Sequence, residues 1–587
     1  MWGALLAFEG VAFVSRTLIA ASLVLAALVS APGATLAANP TPIPAAWRYQ
    51  ATGEPVKAAH GLVSSVSAIA SRVGVDVMKK GGNAFDAAVA VALAMAVTWP
   101  EAGNIGGGGF MVARDAKGKT YALDYRETAP AKATRDMYLD AQGNLTDLSL
   151  THRLGAGTPG TVRGLYEAHR KLGHLPWKQL VQPAIDLAEK GFIVDQGLAT
   201  SLDKYQADLR RDPEATRIFL KNGKPLKVGD RLVQKDLAGT LRLIADKGPD
   251  GFYAGPVAKA IAKDMAANGG IMTEADLTAY QAKWREPIAF TYKGKRVISM
   301  PPPSSGGILL AEILQMLEGD DLKALGYHTA PMMHLVTEVE RRAYADRNAY
   351  LGDPDFVQNP IAQLMDPAYL KARRATIDPE RSTPEYSKMP GLGERLETTH
   401  FVVADAKGNV VSNTYTLNGA YGNAIVAKGT GVLYNNEMDD FAAKPGTPNL
   451  YGLVQGERNA VAPNKRMLSS MSPTLVLDEQ DRFLMAVGSP GGSTIPTTTL
   501  QVMLNVLDYG MNARQAVVAP RFHHQGLPDQ IDVEPNGFDP KVLSELMAMG
   551  HTIKVRYLGD AQAIVRKPDG TLEGWADPRK GGLAVGY

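Results

Sequence analysis

Apolar residues occupy nearly every position from Ala84 to Val97 (AFDAAVAVALAMAV), behind Gly82-Asn83 and ahead of the breaker Pro100. The pattern predicts an Asn-capped helix buried on almost all of its faces. A glycine run from Gly106 to Gly109 follows. It comes after a helix and has neither Gly-Lys-Ser/Thr nor dinucleotide spacing, so it predicts close backbone packing rather than a phosphate loop. Tyr121 to Glu127 (YALDYRE) reads as a strand, and helical patterns then run to about residue 350, including QLVQPAIDLAEKG and HLVTEVERRAYADRNAYLG. Helices are thus expected to dominate the first part. Near residue 378 the texture changes: DPERSTPEYSKMPGLGERLE holds no sustained apolar period and predicts an exposed loop. Beyond it, THFVVAD and VVSNTYTL flank the turn Ala406 to Asn409, and PTLVLD and FLMAVGS flank a second turn. These hairpins, with helix-forming sequence at Thr497 to Tyr509 and Pro540 to Gly550, predict antiparallel sheet covered by helices, an α+β class.

The 587 residues are 45% hydrophobic and 21% charged and contain no evident linker or repeat, so one folded body is expected beyond the leader. Lys and Arg number 62 against 60 Asp and Glu, without a basic stripe interleaved with aromatics. That balance points to a small-molecule partner, not nucleic acid. The chain has no cysteine, which removes disulfides, thiolate metal sites and cysteine nucleophiles together. Arg16 precedes the apolar run Thr17 to Val29, and the small residues Thr35-Leu36-Ala37-Ala38 follow it. The run of about 13 residues is shorter than the roughly 20 needed to span a bilayer, so residues 1–37 read as a cleaved export signal rather than a stable membrane anchor. A periplasmic or secreted location follows from that reading.

Four kinds of nucleophile system can be tested against the sequence. No His-Glu-x-x-His occurs, and the histidines offer no zinc-ligand spacing beyond the adjacent pair His523-His524, so no metal is expected. No Gly-x-Ser-x-Gly elbow occurs either. Paired carboxylates for glycoside chemistry remain open, since so many acids always offer candidate pairs. The fourth system is an N-terminal threonine. A threonine hydroxyl attacks poorly unaided, but an N-terminal threonine carries its own base, an α-amine of pKa roughly 7.7 to 8.0. A loop that ends at Glu397 before a strand-starting Thr398-Thr399 supplies a place to free such a residue. β-branched pairs also begin ordinary strands, so on pattern alone both readings stand.

Thr398-Thr399-His400, Thr414 to Asn418 (TYTLN), Asn435 to Phe441 (NNEMDDF), Leu468 to Pro473 (LSSMSP) and Gly488 to Ser493 (GSPGGS) follow one another in the order of the small-subunit motifs of the γ-glutamyltranspeptidases. Gly81 to Ala84, Asp124 to Glu127, Thr158 to Val162, Met300 to Gly307 and Tyr344 to Arg347 extend the match through the first part. From about residue 45 onward the chain resembles that family, in its lid-bearing bacterial form. The resemblance implies the αββα sandwich of N-terminal-nucleophile hydrolases, no cofactor, and a precursor that cuts itself into a large chain (38–397) and a small chain (398–587). It implies that Thr398 is the nucleophile, that Thr416 hydrogen-bonds it, and that Gly491 and Gly492 supply backbone oxyanion donors. Arg126, Ser469 and Ser470 match the clamp on the donor's α-carboxylate, and Asn418, Glu437 and Asp440 match the cage around its α-ammonium. Members of the family carry Gln or Glu at the position of Glu437. Ala443 to Gly452 resembles the lid loop, with Tyr451 as its gating tyrosine. The implied substrates are glutathione and other γ-glutamyl compounds, with water, amino acids or peptides as acceptors. The nearest rival is an acylase whose glutaryl donor lacks the α-amine; Asp440, Asn418 and Glu437 favour glutamyl. A binding protein with a decayed site is opposed by the intact Thr398, Thr416 and Gly491-Gly492.

Overall fold

The computed structural model describes residues 44–50, 52–384 and 398–587. The apolar leader and the residues immediately before Thr398 lie outside that set. Two antiparallel sheets of seven strands form the centre. One runs in the order Val56–Ala58, Leu572–Ala576, Gln562–Arg566, Phe483–Gly488, Thr474–Leu477, Lys295–Ser299 and Ile288–Tyr292. The other runs Leu583–Gly586, Gly61–Ser65, Thr399–Asp405, Val410–Thr416, Gly108–Arg114, Thr120–Tyr125 and Lys283–Arg285.

The period-two alternation of a strand decides which layer each side chain joins. In Thr399–Asp405, Val402 and Ala404 meet Ile298, Leu475 and Ala486 of the facing sheet, while Phe401 and Val403 point outward to the helices Ala68–Lys79 and Ala84–Thr98. In Phe483–Gly488, Ala486 faces the other sheet, and Met485 and Val487 join the cluster beneath Gly306–Met316, Ala330–Tyr350 and Ile495–Leu507. The layers are therefore helix, sheet, sheet and helix, the αββα sandwich implied by the resemblance. Every residue of Ala84–Thr98 is buried, and its first turn is closed by a reciprocal Asn83–Asp86 capping box, as the sequence predicts.

The two predicted hairpins both form, but each belongs to a different sheet. Strands such as Gly108–Arg114 and Ile288–Tyr292 complete the sheets from a region whose sequence reads as mainly helical. The predicted close packing of the glycine run is observed: a Cβ at Gly107 would lie 2.0 Å from the carbonyl oxygen of Thr416. Only glycine admits that approach, and it seats the end of Val410–Thr416 beside the site described next. Among the described residues, no helix is long and apolar enough to cross a membrane.

Candidate active site

Thr398 immediately precedes Thr399–Asp405, a strand in the interior of its sheet, and is 4% exposed. The register Thr399↔Tyr415 brings it alongside Thr416, the last residue of the neighbouring strand. Their hydroxyl oxygens are 3.2 Å apart, and Thr416 Oγ1 accepts the backbone N–H of Asn418 at 2.8 Å. Gly491 and Gly492 lie between Phe483–Gly488 and Ile495–Leu507, with φ of +133° and +54°. At the head of a helix their amides share in its partial positive charge. Thr398, Thr416, Asn418, Glu437, Asp440, Tyr451, Ser469, Ser470 and Gly492 all line one cavity.

Arg126 and Gly491 are not among the residues that line this cavity, but the lining carboxylates Glu437 and Asp440 are held by the Arg126 guanidinium. Arg126, just past the strand Thr120–Tyr125, pairs with both Glu437 and Asp440 of the short helical turn Glu437–Asp440, and Glu127 lies 3.6 Å from it. All four side chains are buried or nearly so. Burial pushes the Glu127 carboxyl up to about 7 against the pull of Arg126. Burial likewise raises Glu437 and Asp440, with Arg126 drawing both back. Three carboxylates thus gather around Arg126, and Asp440 is drawn by Arg347 as well. Asn418 Oδ1, Glu437 Oε2 and both Glu127 oxygens are buried without a hydrogen bond among the described residues. Buried acceptors of this kind are costly unless a donor reaches them. The resemblance sets Arg126 with Ser469 and Ser470; in the structure its fork is occupied by the carboxylates of the cage instead.

The cavity is narrow. It measures about 20 Å³, room for about one water molecule. Tyr451 is 3% exposed, its hydroxyl donates to the Asn418 carbonyl at 2.7 Å, and its ring abuts Gly492. Its carbonyl accepts from Gln525 Nε2 at 2.9 Å, while the preceding Leu450 N–H donates to Asp439 Oδ2 at 2.9 Å. With Tyr451 in this position the cavity is too small to hold a glutamyl group.

Several residues of the site escape sequence reasoning. Asp439, whose carboxyl burial raises to about 6, ties the loop to Ser149. Asn449 donates to Asp440, and Arg347 lines the cavity from the helix Ala330–Tyr350. Their signal was present only as membership of quoted motifs. Elsewhere, His334, Glu338 and His551 meet, with His334 Nδ1 2.8 Å from His551 Nε2. Histidine spacing misses this cluster because His551 is remote in sequence. Glu338 there is already engaged by Arg341, Arg342 and Thr383. The adjacent His523 and His524 have separate partners, Thr497 and Gln525 for the first and Asp529 for the second.

Comparison with known proteins agrees with this geometry. A family model described as gamma-glutamyltranspeptidase matches residues 70–587. The chain is 50% identical over 571 residues to the glutathione hydrolase proenzyme of Escherichia coli strain K12, which covers 96% of this chain and 98% of that protein. The cephalosporin acylase of Bacillus halodurans superposes with a TM-score of 0.82 at 28% identity, over 93% of this chain and 99% of that one. The γ-glutamyltranspeptidase of Helicobacter pylori is 47% identical with a TM-score of 0.54, over 54% of this chain and 92% of that one. The chain belongs to the γ-glutamyltranspeptidase family.

Proposed function

We infer that this protein is a self-processing γ-glutamyltransferase, which takes glutamyl groups from glutathione or other γ-glutamyl compounds and passes them to water or to an amino acid or peptide. The observation that carries the reading is the cluster of Glu127, Glu437 and Asp440 around Arg126, with Asn418 lining the same cavity as Glu437, Asp440 and the Thr398–Thr416 pair. A glutamyl donor brings an α-ammonium with three N–H donors to such a cluster; a glutaryl donor brings none. As the ammonium engages Glu437 and Asp440, the Arg126 fork is released toward the α-carboxylate beside Ser469 and Ser470.

The chemistry runs in two stages. In maturation, Thr398 Oγ1 attacks the carbonyl carbon of Glu397; the C–N bond breaks and its nitrogen takes up a proton, which frees the α-amine and leaves Glu397 as an ester on Oγ1. Water then hydrolyses that ester to the Glu397 carboxylate and the free Thr398 hydroxyl. The products are a large chain, 38–397, and a small chain, 398–587. Their cohesion is supported by the sheet, in which Thr399–Asp405 is flanked by Gly61–Ser65 and Val410–Thr416, the latter in turn paired with Gly108–Arg114. In turnover, the freed amine takes the hydroxyl proton as Thr398 Oγ1 attacks the γ-carbonyl. The Gly491 and Gly492 N–H groups stabilise the oxyanion, the leaving amine departs with a proton, and the γ-glutamyl ester passes to the acceptor. Export follows from the segment 1–37, which is removed near Ala37 or Ala38.

Asp440→Asn tests the donor assignment. Removing a charge-assisted contact to the ammonium should lower kcat/KM on a γ-glutamyl anilide by a factor on the order of 10 to 100. The matching glutaryl anilide should hold steady or improve, because the change also loosens Arg126 from Asp440. Equal losses on both anilides would mean that Asp440 does not read the amine.

A further inference from the structure

Tyr451 meets the Gly491-Gly492 loop directly through its ring, which a Cβ on Gly492 would approach to 2.2 Å. It is also joined to the helix behind that loop through a chain of buried side chains. Tyr451 O accepts from Gln525 Nε2 at 2.9 Å, Gln525 Oε1 lies 2.8 Å from His523 Nε2, and His523 Nδ1 lies 2.7 Å from Thr497 Oγ1. Thr497 stands in the first turn of Ile495–Leu507, the helix just after Gly492. Thr497, His523 and Gln525 are each exposed by 3% or less.

The chemistry of each group fixes the direction of every bond in this chain. Both protons of the Gln525 amide are taken by carbonyls, those of Tyr451 and Leu527, each at 2.9 Å. Turning the amide over would set its oxygen against two carbonyl oxygens. Gln525 Oε1 therefore faces His523 Nε2, and since that oxygen only accepts, Nε2 carries the imidazole proton. Burial, then the charge of Arg556, holds His523 well below its usual pKa, so the ring is neutral and Nδ1 is an acceptor. Its proton comes from Thr497 Oγ1, for which the Thr494 carbonyl is the more distant acceptor at 3.1 Å. Tyr344 braces the same place: its hydroxyl donates to the Ser493 carbonyl, and its ring stands edge-on to His523.

We propose that Gln525 is a positioning residue for the reaction: oriented by Thr497 and His523, it seats Tyr451, so that the loop over the cavity and the helix behind the oxyanion donors act as one unit. The effect on turnover rests on the γ-glutamyl reading above, whereas the effect on the loop does not. A purely structural Gln525, bracing the turn at Leu527, would leave Thr497 without influence on Tyr451.

The test reads the loop directly, by hydrogen exchange of the matured protein. The Leu450 amide donates to Asp439 Oδ2 and reports whether the loop is seated. In Gln525→Met its exchange should quicken about 3- to 10-fold, the scale of one neutral hydrogen bond. KM for a γ-glutamyl anilide should rise by about the same factor, with kcat moving less. In a Tyr451→Ala background the same substitution should change KM by less than about 2-fold, because the ring it seats is gone. Thr497→Val sits at the far end of the chain and should still quicken Leu450 exchange by at least about 2-fold, while Thr497→Ser, which keeps the hydroxyl, should match the wild type. If Gln525→Met fails to mature into two chains, the two Thr497 variants carry the test. Unchanged Leu450 exchange in Thr497→Val, or an undiminished KM effect of Gln525→Met in the Tyr451→Ala background, would overturn the role of Gln525. A wild-type protein inactive on the γ-glutamyl anilide would instead overturn the γ-glutamyl reading, and hydrogen exchange would still decide whether the chain holds the loop.

Discussion

Thr398→Ala is expected to yield one uncut chain with no measurable transfer or hydrolysis. In the proposed chemistry the hydroxyl is the attacking group both in the acyl shift at Glu397 and in every turnover, so its removal stops the two together. Activity on a γ-glutamyl anilide should fall by a factor on the order of 10⁵ or more, the scale seen when a nucleophile is deleted. The fold should persist, because Thr398 lies just outside the strand Thr399–Asp405 and its hydroxyl meets the Thr416 side chain rather than the backbone ladder of the sheet. Circular dichroism and a melting curve near that of the wild-type protein would verify this. Thr398→Ser retains hydroxyl and amine and should mature and turn over. A Thr398→Ala chain that still separated into two pieces would place maturation in another residue or another protein.

The second large effect is expected from Gly492→Ala. Gly492 has φ +54°, and an added Cβ would lie 2.2 Å from Tyr451 Cδ1 and 2.4 Å from its Cε1. Either the glycine backbone shifts or the closed tyrosine does. Left-handed backbone costs alanine roughly 1–2 kcal/mol beyond glycine, which favours a shift of the backbone. Displacing one oxyanion donor typically costs about 3 to 4 kcal/mol, so kcat should drop by a factor on the order of 10² to 10³. A companion Tyr451→Ala separates the causes. If the double variant stays as slow as Gly492→Ala, the backbone donor is at fault; if it recovers to the rate of Tyr451→Ala alone, the clash with the loop is. An unchanged kcat in Gly492→Ala would remove this glycine from the reaction.

What the sequence made legible follows from local physics. The Asn83 cap, the apolar helix after it and both late hairpins are properties of short windows, and each formed. The assignment of those hairpins to separate sheets was not legible, because the alternation in FVVA or LMAV reports two buried faces without naming the layer on each side. Gly108–Arg114 carried the same ambiguity, since its glycines weaken any strand signal. The site was legible where it rests on motifs: Thr398, Thr416, Asn418, Glu437, Asp440, Tyr451, Ser469, Ser470 and Gly492 share one cavity. Charge pairing was not. That Arg126 would be held by Glu437 and Asp440, more than 300 positions away, depends on the folded arrangement alone. The same holds for His334 and His551, 217 positions apart.

The central claim is that one residue, Thr398, is both the new N-terminus and the nucleophile. It is tested most directly by acid-quenching the purified protein during turnover of a γ-glutamyl donor and mapping its peptides by mass spectrometry. The account predicts a small chain that begins at Thr398 with an unmodified α-amine and carries a single γ-glutamyl ester on the Thr398 side chain. An uncut chain, a small chain that begins elsewhere, or an ester on any other residue would contradict it.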